Sequence, residues 1–110
     1  SRTDLPFVPG FEGVGVVGAG EVFELPVTGR ADVPSDAEAV MLNVAAILPT
    51  APGYLTVFPC GTTRPLASAV NYQAGDIVSN ATLAEVGTDG KVCIYTLAET
   101  HIVVDVTAAW

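Results

Sequence analysis

The amino-acid sequence predicts an all-β fold: an antiparallel β-sandwich or compact barrel of about seven or eight strands, with an internal pseudo-repeat of two hairpins. The first observation is composition, because 17 Val and 11 Thr occur with 11 Gly and 8 Pro in 110 residues. β-branched residues favour strands, and Gly and Pro supply the turns between them. The second observation is a set of short apolar segments, and the third is a similarity between two segments 37 positions apart.

The charge balance narrows the classes of function. Twelve acidic residues oppose four basic ones, which gives a formal net charge of −8. So few cations argue against binding to nucleic acid or to an anionic membrane surface, since both require Lys and Arg. No apolar run reaches the ~18 residues of a membrane-spanning helix, and no signal peptide begins at Ser1, as in a mature chain that has lost its leader. The length fits one domain.

The first 20 residues form an apolar, glycine-rich arm before a β domain predicted for residues 21–110. Such a segment is a weak strand by itself, because Gly adds no packing and costs backbone entropy. It could add a strand to an open sheet edge, either within its own domain or on a neighbouring copy. The residues predicted to make this contact are Val8, Phe11, Val14, Val16 and Val17.

The elements after the arm follow from local patterns. Residues 21–27 are predicted to form a strand, in which Pro26 suits a sheet edge or a strand end. Residues 35–39 could form a single helical turn. The segment Ala39–Ile47 is apolar at both parities, so it is predicted to be a central strand covered on both faces, with Asn43 as the exception.

The internal repeat aligns Asn43 with Asn80 and, ten residues later, Gly53 with Gly90. Each unit contains a strand, a short turn and a second strand. Because Gly ends each turn, where it accommodates a positive φ, both units are predicted to be β-hairpins. The residues of the second strands expected on the core side are Leu55, Val57, Val92 and Ile94.

Two further strands complete the predicted fold, over residues 66–72 and 100–107. The second of these alternates regularly, as a strand with one buried face does. The residues expected to face the core are Ile102, Val104 and Val106.

The two cysteines, Cys60 and Cys93, lie in no His/Cys cluster with the spacing of a metal site. The simplest interpretation is a disulfide, which would contribute roughly 3–4 kcal/mol to the stability of the domain. Two buried free thiols are the alternative. A disulfide would indicate an oxidising, extracellular location.

No catalytic or metal-binding constellation is evident. His101 is the only histidine, and Asp105 shares its strand face about 13 Å away, beyond hydrogen-bond reach. Neither Ser68 nor Ser79 lies in the Gly-x-Ser-x-Gly motif of a nucleophile elbow. The acidic residues form no calcium-binding loop, and Thr88-Asp89-Gly90 fits a turn. The sequence therefore predicts no enzyme, no metal site and no cofactor.

A carbohydrate site would need an aromatic platform beside amide or carboxylate groups. Four aromatic residues with a polar group are candidates, although cross-strand packing explains those in strands equally well. They are Tyr54, Tyr72, Tyr95 and Trp110. The asparagines Asn43, Asn71 and Asn80 are expected to bind the backbone of neighbouring loops instead.

A series of segments occurs in a characteristic order along the chain. They are residues 39–44, 49–59, 64–68, 71–72, 87–95 and 101–106, together with Gly75 and Asn80. The series resembles a β-rich module of exported and cell-surface proteins of actinobacteria and other bacteria, often found in tandem or attached to hydrolases. The resemblance covers residues 27–106 and implies a non-catalytic accessory or surface module. The chain departs from it at Ser1-Arg2-Thr3-Asp4, where an Arg-rich segment is usual, and at Ala108-Ala109-Trp110, where a Gly-aromatic pair is usual.

These observations predict a non-catalytic extracellular module with a structural or adhesive role at the cell surface. A mean hydropathy of +0.50 is more apolar than a domain of this size needs for its own core, which favours action through protein contacts. The expected partners are other copies of the chain or neighbouring surface modules, with self-assembly by strand addition of the arm. The alternative is a carbohydrate-binding module for cell-wall or other polysaccharide.

Overall fold

The computed structural model describes residues 15–29 and 33–110, in which two four-stranded antiparallel sheets pack together as a β-sandwich. The strands are β1 (Gly15–Val17), β2 (Val22–Pro26), β3 (Ala39–Ile47), β4 (Gly53–Pro59), β5 (Val70–Tyr72), β6 (Ile77–Glu85), β7 (Lys91–Thr96) and β8 (Thr100–Ala109). The first sheet has the order β1-β8-β3-β6, and the second has the order β2-β7-β4-β5. The predicted all-β class is confirmed, and the architecture is a sandwich and not a barrel.

The core lies between the inner faces of the two sheets. In β8 the predicted core residues Ile102, Val104 and Val106 are at most 2% exposed. Burial of each such aliphatic side chain contributes about 1.5–3 kcal/mol relative to its exposure. The fully buried aliphatic residues that face them from β3, β4 and β7 are Val40, Leu42, Val44, Ala46, Leu55, Val92 and Ile94.

The central strand β3 buries one face and leaves the other half-buried. Its residues alternate between these two states along the whole strand. This differs from the predicted cover on both faces, because the second sheet packs against only one side of β3. The half-buried positions, which include Met41, Asn43 and Ala45, belong to the outer face of the first sheet.

The two repeated units are not hairpins, and that prediction is wrong. β3 lies in the first sheet with β6 and β8, whereas β4 lies in the second sheet with β5 and β7. β6 and β7 are divided between the sheets in the same way. Each unit is therefore an arch, in which the chain crosses from one sheet to the other.

The turns of the arches show why their strands separate. Between β3 and β4, Leu48 donates its backbone N–H to the carbonyl of Asp76 at 2.7 Å. Between β6 and β7, Thr88 donates its N–H to the carbonyl of Cys60 at 2.8 Å. Both donors thus bind other loops and not a facing strand of the same unit. A turn glycine predicts that the chain reverses its direction. Whether the second strand then pairs with the first or enters the other sheet depends on these distant acceptors.

The repeat corresponds to a pseudo-two-fold axis through the sandwich. Equivalent strands of the two arches are neighbours, since β3 pairs with β6 and β4 pairs with β7, both antiparallel. Val57 faces Ile94, which is 37 positions later, and Asn43 and Val44 face Ala81 and Asn80, which are 38 and 36 positions later. The offset found in the sequence therefore falls on a pair of facing residues in the second sheet and between two adjacent pairs in the first.

The other elements agree with their predictions in part. β2 lies at an edge of the second sheet and ends at Pro26, as predicted. The strand predicted over residues 66–72 is limited to β5. Residues 35–39 form no helix, and the chain turns there with a hydrogen bond from Ala37 N–H to the Pro34 carbonyl at 3.2 Å.

β1 extends the β domain beyond its predicted start at residue 21. Its three residues pair with the beginning of β8, and Val17 lies in the core. Val16 and Val17, which were assigned to the arm, therefore belong to the first sheet. The other predicted arm contacts, Val8, Phe11 and Val14, lie outside the described residues.

The two glycines aligned by the repeat are required for different reasons. Gly90 has a φ of +71°, as its turn predicted, and a Cβ at this position would clash with Thr28 Oγ1. Gly53 does not have a positive φ, but a Cβ there would lie 2.8 Å from the Tyr72 hydroxyl. Gly90 thus permits a left-handed backbone, and Gly53 makes room for a tyrosine ring.

The substitution Gly90→Ala should destabilise the domain more than Gly75→Ala does. Both positions have a positive φ, +71° and +79°, so each alanine incurs roughly 1 kcal/mol of backbone strain. Only the methyl group at position 90 also meets Thr28, because the space at Gly75 is open. Urea unfolding of both variants measures the difference, and equal losses would contradict this packing.

Candidate functional site

The outer face of the first sheet is largely apolar and exposed. It consists of alternate residues of β1, β8, β3 and β6, and one row across it contains Val16, His101, Ile47 and Ile77. Val16, Ile77 and Leu83 are 57%, 70% and 61% exposed. We call this surface the apolar face, and its apolar residues are Val16, Met41, Ala45, Ile47, Ile77, Ala81, Leu83 and Val103.

Asp105 is a carboxylate in the middle of the apolar face. It lies on β8 opposite Asn43 of β3. Its Oδ1 atom is buried and has no hydrogen-bond partner. Removing a carboxylate oxygen from water without a partner is unfavourable, so Asp105 carries an unsatisfied oxygen on a mainly apolar face.

The outer face of the second sheet carries the predicted disulfide, which is confirmed. Cys60 and Cys93 are bonded, with their Cα atoms 5.0 Å apart. Phe58, Tyr95 and Tyr54 pack around the bridge in a cluster separate from the main core. The disulfide links the end of β4 to β7 and indicates an oxidising compartment.

Arg64 stacks on this cluster. Its guanidinium carbon lies 3.6 Å from the centroid of the Tyr95 ring, the geometry of a cation–π contact. Arg64 belongs to a loop, residues 61–68, in which every residue is exposed. Leu66 of this loop is 97% exposed. The loop therefore presents one cation and one aliphatic side chain on the outside of the second sheet.

The loop is attached near both of its ends. Thr62 donates its hydroxyl to the Pro59 carbonyl at 2.7 Å. Ala69, directly after the loop, donates its N–H to the Leu55 carbonyl at 2.8 Å. Together with the stacking of Arg64, these contacts restrict the loop, which lowers the entropy that a partner would have to remove on binding.

Tyr72, predicted as a sugar-stacking residue, is instead a structural residue of the core. It is 2% exposed, and its hydroxyl lies 2.7 Å from Thr96 Oγ1. The hydroxyl also accepts a hydrogen bond from Ala98 N–H at 2.9 Å. The ring therefore has no face for a ligand, because the alternation of β5 directs it inward.

The other three aromatic candidates do not form one platform. Tyr54 and Tyr95 are neighbours, with ring centroids 6.0 Å apart, but Tyr95 is 7% exposed and lies under Arg64. Trp110 is 62% exposed and follows β8 in the other sheet. Its backbone N–H donates to the Ala39 carbonyl at 2.9 Å. The half-buried Tyr54 and the exposed Trp110 thus lie on different sheets.

Of the asparagines predicted to bind the backbone of a neighbouring loop, Asn80 does so and Asn71 does not. Asn80 donates its side-chain N–H to the Ala69 carbonyl at 2.9 Å and accepts the N–H of Ala81 at 3.1 Å. Asn71 accepts the Ser68 hydroxyl at 3.1 Å, a side-chain partner instead of the expected backbone one. Asn80 thus ties β6, the end strand of the first sheet in the described chain, to the segment that precedes β5.

The candidates for catalysis and metal binding are dispersed. Ser68 Oγ is bound to Asn71 on the second sheet, whereas His101 is exposed on the first. The described residues contain no group of three His, Cys, Asp or Glu side chains that could hold a metal ion. No helix long and apolar enough to cross a membrane occurs in residues 15–29 and 33–110.

The described chain begins at β1, which pairs with the first residues of β8, from Val17 opposite Thr100 to Gly15 opposite Ile102. Strand addition by the arm to a sheet edge stays a prediction, because residues 1–14 lie outside the described part of the chain.

Comparisons of the chain with family models, curated proteins and solved structures found no match.

Sequence reasoning did not assign Arg64 or Asp105 to a site. The signal for the apolar face was present, since β3 is apolar at both parities, but it was interpreted as burial on both sides. Arg64 gave no such signal, because its contact with Tyr95 joins a loop to a strand 31 positions away. Only the topology of the second sheet brings these two residues together.

Replacement of Tyr72 by Phe should destabilise the domain by about 1–3 kcal/mol, because it leaves the buried N–H of Ala98 without an acceptor. The matched control is Tyr54→Phe, since the Tyr54 hydroxyl makes no hydrogen bond to the described residues and its loss should have little effect. Thermal and urea unfolding provide the comparison. Equal stabilities of the two variants would contradict the structural role of Tyr72.

Removal of the disulfide by Cys60→Ala with Cys93→Ala should cost roughly 3–4 kcal/mol, because the 33-residue separation constrains the unfolded chain. The measurement is urea unfolding of the oxidised protein and of the double variant. A loss below about 1 kcal/mol would show that the bridge contributes little to stability.

Proposed function

We propose that this domain is a non-catalytic structural module of an exported protein, and that it acts by packing its apolar face against a neighbouring copy. The observation that carries the proposal is the exposure of Val16, Ile77 and Leu83 on one face of a sheet. A small domain rarely leaves a contiguous apolar surface in water unless that surface binds something. Its burial is favourable in proportion to the area removed from water.

Charge permits contact between copies at the apolar face but does not select this face. Two copies with a net charge of −8 repel one another, so contact is most favourable where few like charges meet. The described strands direct three ionisable side chains to the apolar face: His101, Asp105 and, at the end of β6, Glu85. The outer face of the second sheet carries at least as many, since Glu24, Lys91 and Arg64 lie there. The exposed aliphatic residues, and not the charge, therefore favour the apolar face.

Export to the cell surface is the location that fits this role. The Cys60–Cys93 bridge suits an oxidising environment and would persist outside the cell. The resemblance to exported bacterial modules, which often occur in tandem, supports the same assignment. Neighbouring modules of one kind would supply the second copy that the apolar face requires.

Saccharide binding is the second candidate, because Tyr54 keeps part of its surface exposed beside Tyr95. Trp110 lies on the other sheet, so the two rings would act separately. One half-buried tyrosine offers less stacking area than a platform of several rings. The apolar face therefore supports protein contact better than the aromatic residues support sugar binding.

The variant Ile77→Lys should weaken self-association of the chain, because it places a charge on an exposed residue of the apolar face. Light scattering across a concentration series measures the mass, which should rise above the monomer mass of 11.3 kDa for the wild type and remain near it for the variant. The control is Leu97→Lys, which changes another exposed aliphatic residue, 43% exposed and outside this face. Leu97→Lys should associate as the wild type does.

A wild-type chain that remains monomeric at every concentration would contradict the proposal. Equal weakening by Ile77→Lys and Leu97→Lys would also contradict it, since the effect would then follow charge in general and not the apolar face. Far-UV circular dichroism should show that both variants are folded, because both side chains are exposed.

A further inference from the structure

Two opposite charges lie without ion-pair partners on opposite outer faces of the sandwich. Among the cations that the structure describes, Lys91 pairs with Glu24 at 3.2 Å, whereas Arg64 has no carboxylate within ion-pair distance. Asp105, on the apolar face, has a buried Oδ1 without a partner and no cation beside it in the described chain. Neither charge has an ion-pair partner within the described chain, and a guanidinium from another copy would meet the solvent-facing part of the half-buried Asp105 side chain and not the buried Oδ1.

The surroundings of the two charges are also complementary. Arg64 lies two residues before Leu66, so the loop presents a guanidinium next to an almost fully exposed aliphatic side chain. Asp105 faces Asn43 on β3, and the next outward residues on these two strands are the aliphatic Val103 and Ala45. A cation beside an apolar group therefore matches a carboxylate within an apolar surface.

We propose that the loop formed by residues 61–68 of one copy docks on the apolar face of the next, with Arg64 paired to Asp105 and Leu66 packed on the surrounding aliphatic residues. This proposal rests on the proposed function and names the surface that covers the apolar face. The partner is a second copy of this chain, because the chain itself carries both halves of the contact. In a domain of net charge −8, such a contact also places one of the few cations against an acidic neighbour.

The position of the two halves determines the kind of assembly. Arg64 lies outside the second sheet and Asp105 outside the first, so they lie on opposite sides of the sandwich. An isologous dimer would bring the same surface of both copies together and could not form this pair. The contact is heterologous, and it repeats from copy to copy as an open row or a closed ring.

The loop has the properties that such a contact requires. Its attachments at Thr62 and Ala69 and the stacking of Arg64 on Tyr95 hold the guanidinium in place before docking. Arginine and tyrosine are also enriched among the residues that contribute most to protein interfaces. Stacking occupies one face of the guanidinium and leaves its N–H edge available to a carboxylate.

Charge reversal of each partner, separately and together, tests the pairing. Arg64→Glu should abolish self-association in light scattering, because it brings two carboxylates together. Asp105→Arg should do the same, and the double variant should recover the wild-type mass at equal concentrations. Lys91→Glu is the matched control, since it changes the net charge as Arg64→Glu does but lies in a separate ion pair, and it should retain association.

Asp105 is half-buried, so Asp105→Asn provides a variant of the same shape that should fold in any case. It should lose association while its circular dichroism stays that of the wild type. Self-association of Asp105→Asn equal to that of the wild type would overturn the pairing. Failure of the double charge reversal to restore association, with both single variants folded, would overturn it as well.

The outcome also separates this inference from the proposed function. If Ile77→Lys dissociates the assembly and Arg64→Glu does not, the apolar face binds a copy by another surface and the docking of the loop is refuted. If the chain stays monomeric but binds polygalacturonate through Arg64, the site takes an acidic saccharide and both proposals fail. Loss of association in Arg64→Glu and Ile77→Lys, with rescue in the double charge reversal, supports both.

Discussion

The structure depends on one constraint, the burial of aliphatic side chains between two sheets that the chain crosses between repeatedly. β3 and β8 provide one wall of the core and β4 and β7 provide the other, with residues such as Leu42, Val104, Leu55 and Ile94 fully buried between them. Each arch joins the two walls covalently, so neither sheet can form its core contacts without the other. The alternation that directs these residues inward also directs the next residues outward, which creates the two outer faces.

The two outer faces differ in what covers them. On the second sheet, the disulfide, the tyrosines and the loop of residues 61–68 form a compact outer layer. On the first sheet, Ile77 and Leu83 remain in water, and Asp105 has an unsatisfied oxygen. The covered face offers a restrained loop and the uncovered face offers an apolar surface. This asymmetry is the basis for proposing head-to-tail contact between copies.

Much of the fold could be predicted from local sequence, because strand periodicity is a local property. The inward residues of β8, the strand end at Pro26 and the Cys60–Cys93 bridge agree with their predictions. The hairpins could not be distinguished from arches, since the acceptors that hold their turns come from distant loops. For the same reason, no local sequence pattern predicts the contact between Arg64 and Tyr95. The candidate site depends on contacts between different strands and loops, whereas each strand follows from its own local sequence.

Methyl NMR of the whole chain through a dilution series would test the central claim most directly, because it reports which surface a neighbouring copy covers. The account predicts that the methyl signals of Ile77, Leu83, Val103 and Leu66 shift together with concentration. The signal of Leu97, which lies outside both proposed surfaces, should stay constant. Signals that do not change with concentration, or changes confined to residues outside the apolar face and the loop, would contradict the account.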